Sequence, residues 1–290
     1  MAFTPAQHGF VYSKSPFPAF VGGFGSGKTA AAIARVMILK QLCPGQDVAY
    51  YLPTYGLVED IAFQRFPALF DRNGLAYKLN RQAATLQTDL GRIIFRTMDN
   101  PDRIVGYEVA HSICDELDTL QIEKARNVWN KVIARNRQKA FTASGKPIPN
   151  SVAVATTPEG FRFVHERWVK NQAPGYELFR AKTMDNAANL PDGYIDNLRN
   201  SYPSALLSAY LDGEFCNLTS GSVYAEFDRH LNASNETVRP GEPLHIGEDF
   251  NVANGAAVIH VLRGDDPHAV AELTGVFDTP AMIALLKRDY

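Results

Sequence analysis

The 290-residue sequence predicts an α/β fold, a mostly parallel sheet flanked by helices, followed by a short unit of three strands and a helix. Three observations lead there. A glycine-rich loop, Gly22-Gly23-Phe24-Gly25-Ser26-Gly27-Lys28-Thr29, stands between the apolar run 18–21 and a helix-like stretch over 28–42. A second apolar run ends in two adjacent acids, Asp115 and Glu116. Apolar strand-like segments alternate with helical patterns as far as Thr183, and there the pattern changes.

The first strand, loop and helix carry the most chemistry. Glycines at 22, 25 and 27 permit backbone angles that side chains forbid, so successive N–H groups can turn inward around a polyphosphate. The helix that follows adds the positive end of its dipole. In the G-x-x-x-x-G-K-[ST] pattern, Lys28 reaches the β- and γ-phosphates and the Thr29 hydroxyl ligates Mg²⁺. The bland alternative is a glycine-rich turn. Upstream, Gln7 follows Phe3-Thr4-Pro5-Ala6; a glutamine there can contact an adenine edge, or be an ordinary surface amide.

The second unit is a buried strand over 47–52, stopped by Pro53-Thr54, with a helical pattern running to about Phe70. A third strand spans 91–96, and Asp99-Asn100-Pro101-Asp102-Arg103 after it is turn chemistry. The strand closing on Asp115-Glu116 has the form of a Walker B element, with Asp115 in the Mg²⁺ shell and Glu116 polarising the attacking water. Neighbouring side chains on a strand face opposite ways, so the two acids divide these tasks only where the strand ends and turns. A solvated turn is the alternative for an isolated pair. A helix over about 122–137 leads to a fifth strand, 151–155, ending in Thr156-Thr157-Pro158. A parallel sheet gathers ligands at its carboxyl ends, which places Thr156 and Thr157 beside the γ-phosphate; a capped loop is the other reading.

Helices are expected over about 192–201 and 203–211, a polar connector near 217–240, strands over 244–250, 256–262 and 269–277, and a helix from Thr279. A hydrophobic content of 46% supports a real core, and a net charge of −2 leaves any nucleic-acid contact to local patches of Lys and Arg. Cys43, Cys114 and Cys216 form no CxxC pair, which argues against structural zinc and a disulfide framework. No signal peptide and no bilayer-length apolar run is present, so no membrane is expected, and the Asn-x-Ser/Thr triplets at 217, 232 and 235 are read as chance.

The ordered blocks resemble the large terminase subunit of tailed bacteriophages, an ATPase and nuclease that packages DNA. The resemblance rests on residues 22–29, 97–106, Cys114-Asp115-Glu116, Thr156-Thr157-Pro158-Glu159-Gly160 and Asn186-Ala187-Ala188-Asn189-Leu190-Pro191. It continues through Leu211-Asp212-Gly213-Glu214-Phe215, Val223-Tyr224-Ala225-Glu226-Phe227 and Gly247-Glu248-Asp249. It implies a P-loop NTPase of the ASCE type over residues 1–215 with a helical lid at about 184–215, a linker at 216–240, and the first part of a ribonuclease-H-like nuclease over 241–290. It also implies that ATP and Mg²⁺ bind at residues 22–29, that Asp115 and Glu116 act as Walker B ligand and base, and that Thr156-Thr157-Pro158 couples hydrolysis to motion. Asp249 would be the first nuclease carboxylate, for Mg²⁺ or Mn²⁺. A two-metal centre needs several acids. Glu272 is a weak stand-in and Glu248 faces away, so the nuclease is expected to be incomplete and the chain to be truncated at its carboxyl end.

Arg135 and Arg137, on the helix after Walker B, are candidates for an arginine finger or are two solvated basic residues; Arg103 is a third candidate. The implied partners are double-stranded DNA, the phage portal protein, the small terminase subunit and further copies of the chain in a ring. The implied place is the host bacterial cytoplasm and, transiently, the procapsid, with none of the protein in the mature virion. The competing readings are a superfamily helicase-like ATPase, which needs a second ATPase lobe, and an ATP-binding switch or scaffold without productive turnover.

Overall fold

The computed structural model describes residues 3–218, 232–250 and 254–290, and the chain divides into two compact units, Met1–Thr219 and Ser220–Tyr290. The first unit opens with α1 (Pro5–Tyr12), where the sequence offered only an aromatic-rich stretch. Thr4 begins it: its hydroxyl accepts from Gln7 N while the Gln7 side chain accepts from Thr4 N, a reciprocal cap. β1 (Phe17–Gly22) follows, then α2 (Lys28–Leu42) with the bounds its sequence pattern implied. The apolar stripe Ala31, Ala32, Ile33, Val36 and Leu39 of α2 is buried against the sheet.

β2 (Val48–Leu52) is buried throughout, and the helical run after it is interrupted: α3 (Tyr55–Leu57), a π-helical turn Val58–Ala62, then α4 (Phe63–Arg72). A hairpin absent from the sequence reading, β3 (Tyr77–Asn80) and β4 (Thr85–Thr88), comes next and pairs antiparallel with β5 (Gly91–Thr97). β6 (His111–Asp115) is the strand that ends in the acids. α5 (Ile122–Arg135) and the small hairpin β7 (Ala140–Phe141) and β8 (Pro147–Ile148) separate it from β9 (Ser151–Thr156). The short α6 (Phe163–His165) and a second π turn lead to β10 (Tyr176–Ala181), a strand the sequence reading also missed. α7 (Tyr194–Ser201) and α8 (Ser204–Tyr210) match the expected helix pair.

Eight strands of the first unit form one sheet in the order β10-β1-β9-β6-β2-β5-β4-β3, parallel from β10 to β5, while β7 and β8 pair separately. β1, β2, β6 and β9 are apolar and buried because helices cover both faces. β9 lies between β1 and β6, the additional-strand arrangement of the ASCE type. The register sets Val21 beside Thr156 and Asp115 beside Ala155, so the ends of the three strands lie in one row.

The second unit contains β11 (His245–Asp249), β12 (Gly255–Arg263) and β13 (Asp266–Val276), an antiparallel sheet in sequence order, and α9 (Thr279–Asp289). A small core of Ala257, Val276 and Met282 joins α9 to the sheet, and Asp278 caps α9 by accepting from Ala281 N at 2.8 Å. This antiparallel sheet differs in kind from the parallel series a second ATPase lobe would need. The block 223–227 lies outside the described residues.

Candidate functional site

The glycine-rich loop leaves β1 at its carboxyl end and folds around its own carbonyl. Gly23 O accepts from Ser26 N at 3.2 Å, Ser26 Oγ at 2.7 Å and Lys28 Nζ at 3.0 Å. Gly27 takes φ +83°, the left-handed region, and a Cβ there would stand 2.3 Å from Gln7 Nε2. Gln7 is buried; its amide donates to Ser26 O at 3.0 Å and its carbonyl accepts from Thr4 N. The structure therefore engages both ends of the Gln7 amide, one in bracing the loop and one in capping α1, where the sequence reading had offered an adenine contact or an ordinary surface amide.

A second brace comes from the segment after β10. Thr183 Oγ1 donates to Phe24 O and Asn186 Nδ2 to Gly25 O, each at 2.7 Å. The Phe24 ring stacks on Tyr210 of α8 with centroids 4.5 Å apart, and Phe24 N donates to Tyr210 O at 2.6 Å. Asn186 belongs to the Asn-Ala-Ala-Asn block legible in the sequence; its contact with the loop was not.

Across from Lys28, β6 delivers its two acids differently. Asp115 is wholly buried, and its Oδ2 accepts from Tyr50 Oη at 2.6 Å. Its Oδ1 is buried without a hydrogen-bond partner among the described residues. Burial and the neighbouring Glu116 push the Asp115 carboxyl above its usual range, against Tyr50, Thr29 and Lys28, which favour the ionised form. Glu116 has φ +57°, rare for a residue with a side chain, so the strand ends there and the acid swings back toward the loop. That turn resolves the problem of two adjacent acids serving one site. Glu116 Oε1 lies 3.9 Å from Lys28 Nζ, and Oε2 accepts from Thr157 N at 3.1 Å and Thr156 Oγ1 at 3.4 Å. Burial lowers the Lys28 pKa, opposed by Glu116 and Asp115.

A half-buried arginine and a buried aspartate, neither singled out by the sequence, weld this edge to the elements behind it. Asp118 N donates to Thr156 Oγ1 at 3.2 Å, and Asp118 Oδ1 accepts from Val164 N at 3.0 Å. Arg162 Nη1 donates to Asp118 O at 3.1 Å. Burial raises the Asp118 carboxyl to about 7. Asp118 and Arg162 carried no signal beyond residue type, because their partners are backbone groups brought near by the fold.

The donor set fits a nucleotide-bound Mg²⁺. Asp115 has one buried carboxylate oxygen without a hydrogen-bond partner among the described residues, the Thr29 hydroxyl acts on the same carboxyl, and both are hard oxygen ligands.

Arg135 and Arg137 lie away from the loop of their own chain. Arg135 ends α5, and its carbonyl accepts from Val109 N, just before β6 begins; Arg137 pairs with Glu108 at 2.9 Å. They stand at the amino end of β6, roughly 20 Å along the strand from Glu116, so neither reaches the phosphates of its own chain. Arg103, exposed in the turn past the carboxyl end of β5, is on the loop side of the sheet.

In the second unit, Asp249 ends β11, and a cavity of about 190 Å³ there is lined by Glu248, Asp249 and Asp278 beside apolar Phe250, Val276 and Met282, so Glu248 borders the same cavity as Asp249 where the sequence reading turned it away. No group of three His, Cys, Asp or Glu side chains placed to hold a metal exists among the described residues, and Glu272 pairs with Val258 in mid-strand. These residues do not fit a two-metal centre.

Residues 19–230 match the family model described as terminase large subunit, T4-like-virus type, N-terminal. No curated protein matches. Among solved structures, the large terminase of a thermophilic bacteriophage is 16% identical with a TM-score of 0.62, covering 98% of this chain and 70% of its own. Its complex with ADP is 17% identical with a TM-score of 0.60, covering 100% and 75%. The large terminase ATPase domain of Thermus phage P74-26 is 17% identical with a TM-score of 0.55, covering 72% and 92%. At these identities the structures establish a common fold, while the family match spans most of the sequence. The chain belongs to the large terminase subunit family of bacteriophages.

Proposed function

We propose that this chain hydrolyses ATP to drive double-stranded DNA into a phage procapsid. The observation that carries the reading is the convergence of Lys28 and Glu116 to 3.9 Å beside a buried Asp115. The thermophilic phage's large terminase, which shares the fold, has been solved with ADP and with ATP-gamma-S.

In this reading the loop N–H groups and Lys28 bind and neutralise the phosphates, with Lys28 exchanging Gly23 O for phosphate oxygen. Mg²⁺, held by Thr29 and Asp115, supplies charge neutralisation at the phosphates. Glu116 orients the attacking water and accepts its proton. Thr156 and Thr157, which hold Glu116 through its Oε2, sense its state, and the Asp118–Arg162 brace passes that state to the elements behind. An arginine finger completes the site, either Arg103 of the same chain or Arg103, Arg135 or Arg137 of a neighbouring copy. DNA is held through its phosphates, as a motor indifferent to sequence requires. The chain works as a ring on the portal protein with the small terminase subunit, in the host cytoplasm. Among the described residues no helix is long and apolar enough to cross a membrane. Residues 1–215 are the engine with a lid at 184–215, residues 216–240 a linker, and residues 241–290 belong to a nuclease fold in which Asp249 is the first acid.

Steady-state ATP hydrolysis with and without linear double-stranded DNA, alongside Glu116→Gln, tests the motor. Turnover that rises with DNA and falls by ~10²-fold or more in the variant is expected. Tight ATP binding with no turnover dependent on Glu116, even with the portal present, would replace the motor with a nucleotide switch.

A further inference from the structure

Tyr50 sits in the middle of β2, paired with Ile113 of β6, so its side chain is the diagonal neighbour of Asp115 on the same face of the sheet. It is fully buried, and its ring packs edge-on against Phe66 of α4 with centroids 5.3 Å apart. Phenylalanine would fill that space equally well, so packing leaves the hydroxyl unexplained. The hydroxyl donates to Asp115 Oδ2 at 2.6 Å, within the short range of O–H···O⁻ bonds. The other carboxylate oxygen, Oδ1, is buried without a partner among the described residues.

We propose that Tyr50 is a positioning residue for divalent-cation capture, holding one oxygen of Asp115 so that the other is presented to the cation of the bound nucleotide. The inference rests on reading Asp115 as part of the nucleotide site. The physical argument is rotational. A carboxylate turns about a broad, two-fold torsion. A donor on one oxygen selects a single orientation in advance of binding, and outer-shell partners of this kind tune metal affinity by ~10- to 100-fold. Thr29 belongs to the first turn of α2 after the loop, whereas Tyr50 comes from β2, the strand paired with β6.

Calorimetric titration of ADP into the full chain, in EDTA and in saturating Mg²⁺, separates metal-linked from metal-independent binding. Wild type should bind ADP more tightly with Mg²⁺. In Tyr50→Phe that gain should shrink by ~10-fold or more while affinity in EDTA stays within about threefold. Phe66→Leu disturbs the same packing without touching the hydroxyl and should keep the wild-type gain, which separates positioning from general loosening. A Mg²⁺ gain in Tyr50→Phe equal to that of wild type, or an equal loss in Phe66→Leu, would overturn the proposal. Absence of any Mg²⁺ gain in wild type would instead remove the nucleotide-site reading on which it depends.

Discussion

Single residues set the chemistry. Glu116 occupies a left-handed backbone conformation, which costs of order 1–3 kcal/mol and is held by the bonds its carboxylate makes to the end of β9. A glycine at that position would relax the backbone and remove the acid, so strain and function are inseparable there. Gly27→Ala tests the loop in the same spirit. The new Cβ meets a left-handed φ and the Gln7 amide together. Nucleotide affinity should fall by at least about tenfold, read by titration of ADP. His111 offers a pH test away from the site. Its Nδ1 accepts from Ser151 N at 3.1 Å and its Nε2 lies 3.6 Å from Cys43 Sγ, and burial, with Arg35 and Lys40 adding to it, lowers its pKa to about 3. An unfolded histidine titrates near ~6.5. Between those values the unfolded chain binds the extra proton, so this contribution is complete above about pH 6.5 and declines as pH falls, by ~1.4 kcal/mol per unit. Buried Asp115 and Asp118, whose pKa values are raised, act in the opposite sense, so the comparison must be made against His111→Asn. The difference in denaturant midpoint, wild type minus variant, should decrease as pH is lowered from about 6.5 to 5, whatever the direction of the two separate curves.

Elements are tied by buried polar anchors more than by helix propensity. Arg35 of α2 is 1% exposed and donates through Nη1 to Phe10 O at 2.7 Å, Ser13 O at 3.1 Å and Val11 O at 3.3 Å. One guanidinium thus serves the carbonyls at the end of α1, of which Phe10 O also accepts from Ser13 N. Burial lowers its pKa to about 10, which leaves it charged at neutral pH. Arg35→Met keeps the stem and strips those carbonyls of their donor; a loss of ~2 kcal/mol or more in urea denaturation is expected. Because α1 carries Gln7 beneath the loop, the variant should also weaken nucleotide binding. At the other brace, Asn186→Ala removes the bond to Gly25 O and the one its Oδ1 accepts from Asn189 Nδ2. It should weaken nucleotide binding severalfold with a smaller effect on stability than Arg35→Met.

At the scale of the whole molecule, strand order and register made the site from motifs far apart in sequence. The chain fixed the types of β1, β2, β5, β6 and β9 through continuous apolar runs, and α2 through its loop and stripe. It hid β10, because Tyr-Glu-Leu-Phe-Arg-Ala alternates like a surface segment and its place beside β1 is a tertiary fact. It hid the β3–β4 hairpin for the same reason. It left open where Arg135 and Arg137 stand, since helical periodicity does not say at which end of the sheet a helix finishes. The second unit should be silent in DNA cleavage: with Mn²⁺, plasmid should remain uncut by wild type and by Asp249→Ala alike. Linearisation lost on Asp249→Ala would show a complete centre there.

Residue type and spacing by themselves determined the glycine loop, the acid pair and the alternation of strand and helix, because backbone freedom, charge and apolar runs are local properties. Only the tertiary structure decided that β9 stands between β1 and β6, that Glu116 turns back toward Lys28, and that Tyr50, Asp118, Arg162 and Asn186 brace the site. Those contacts join residues 40 or more positions apart in most cases, and their partners are often backbone groups that leave no mark on the sequence.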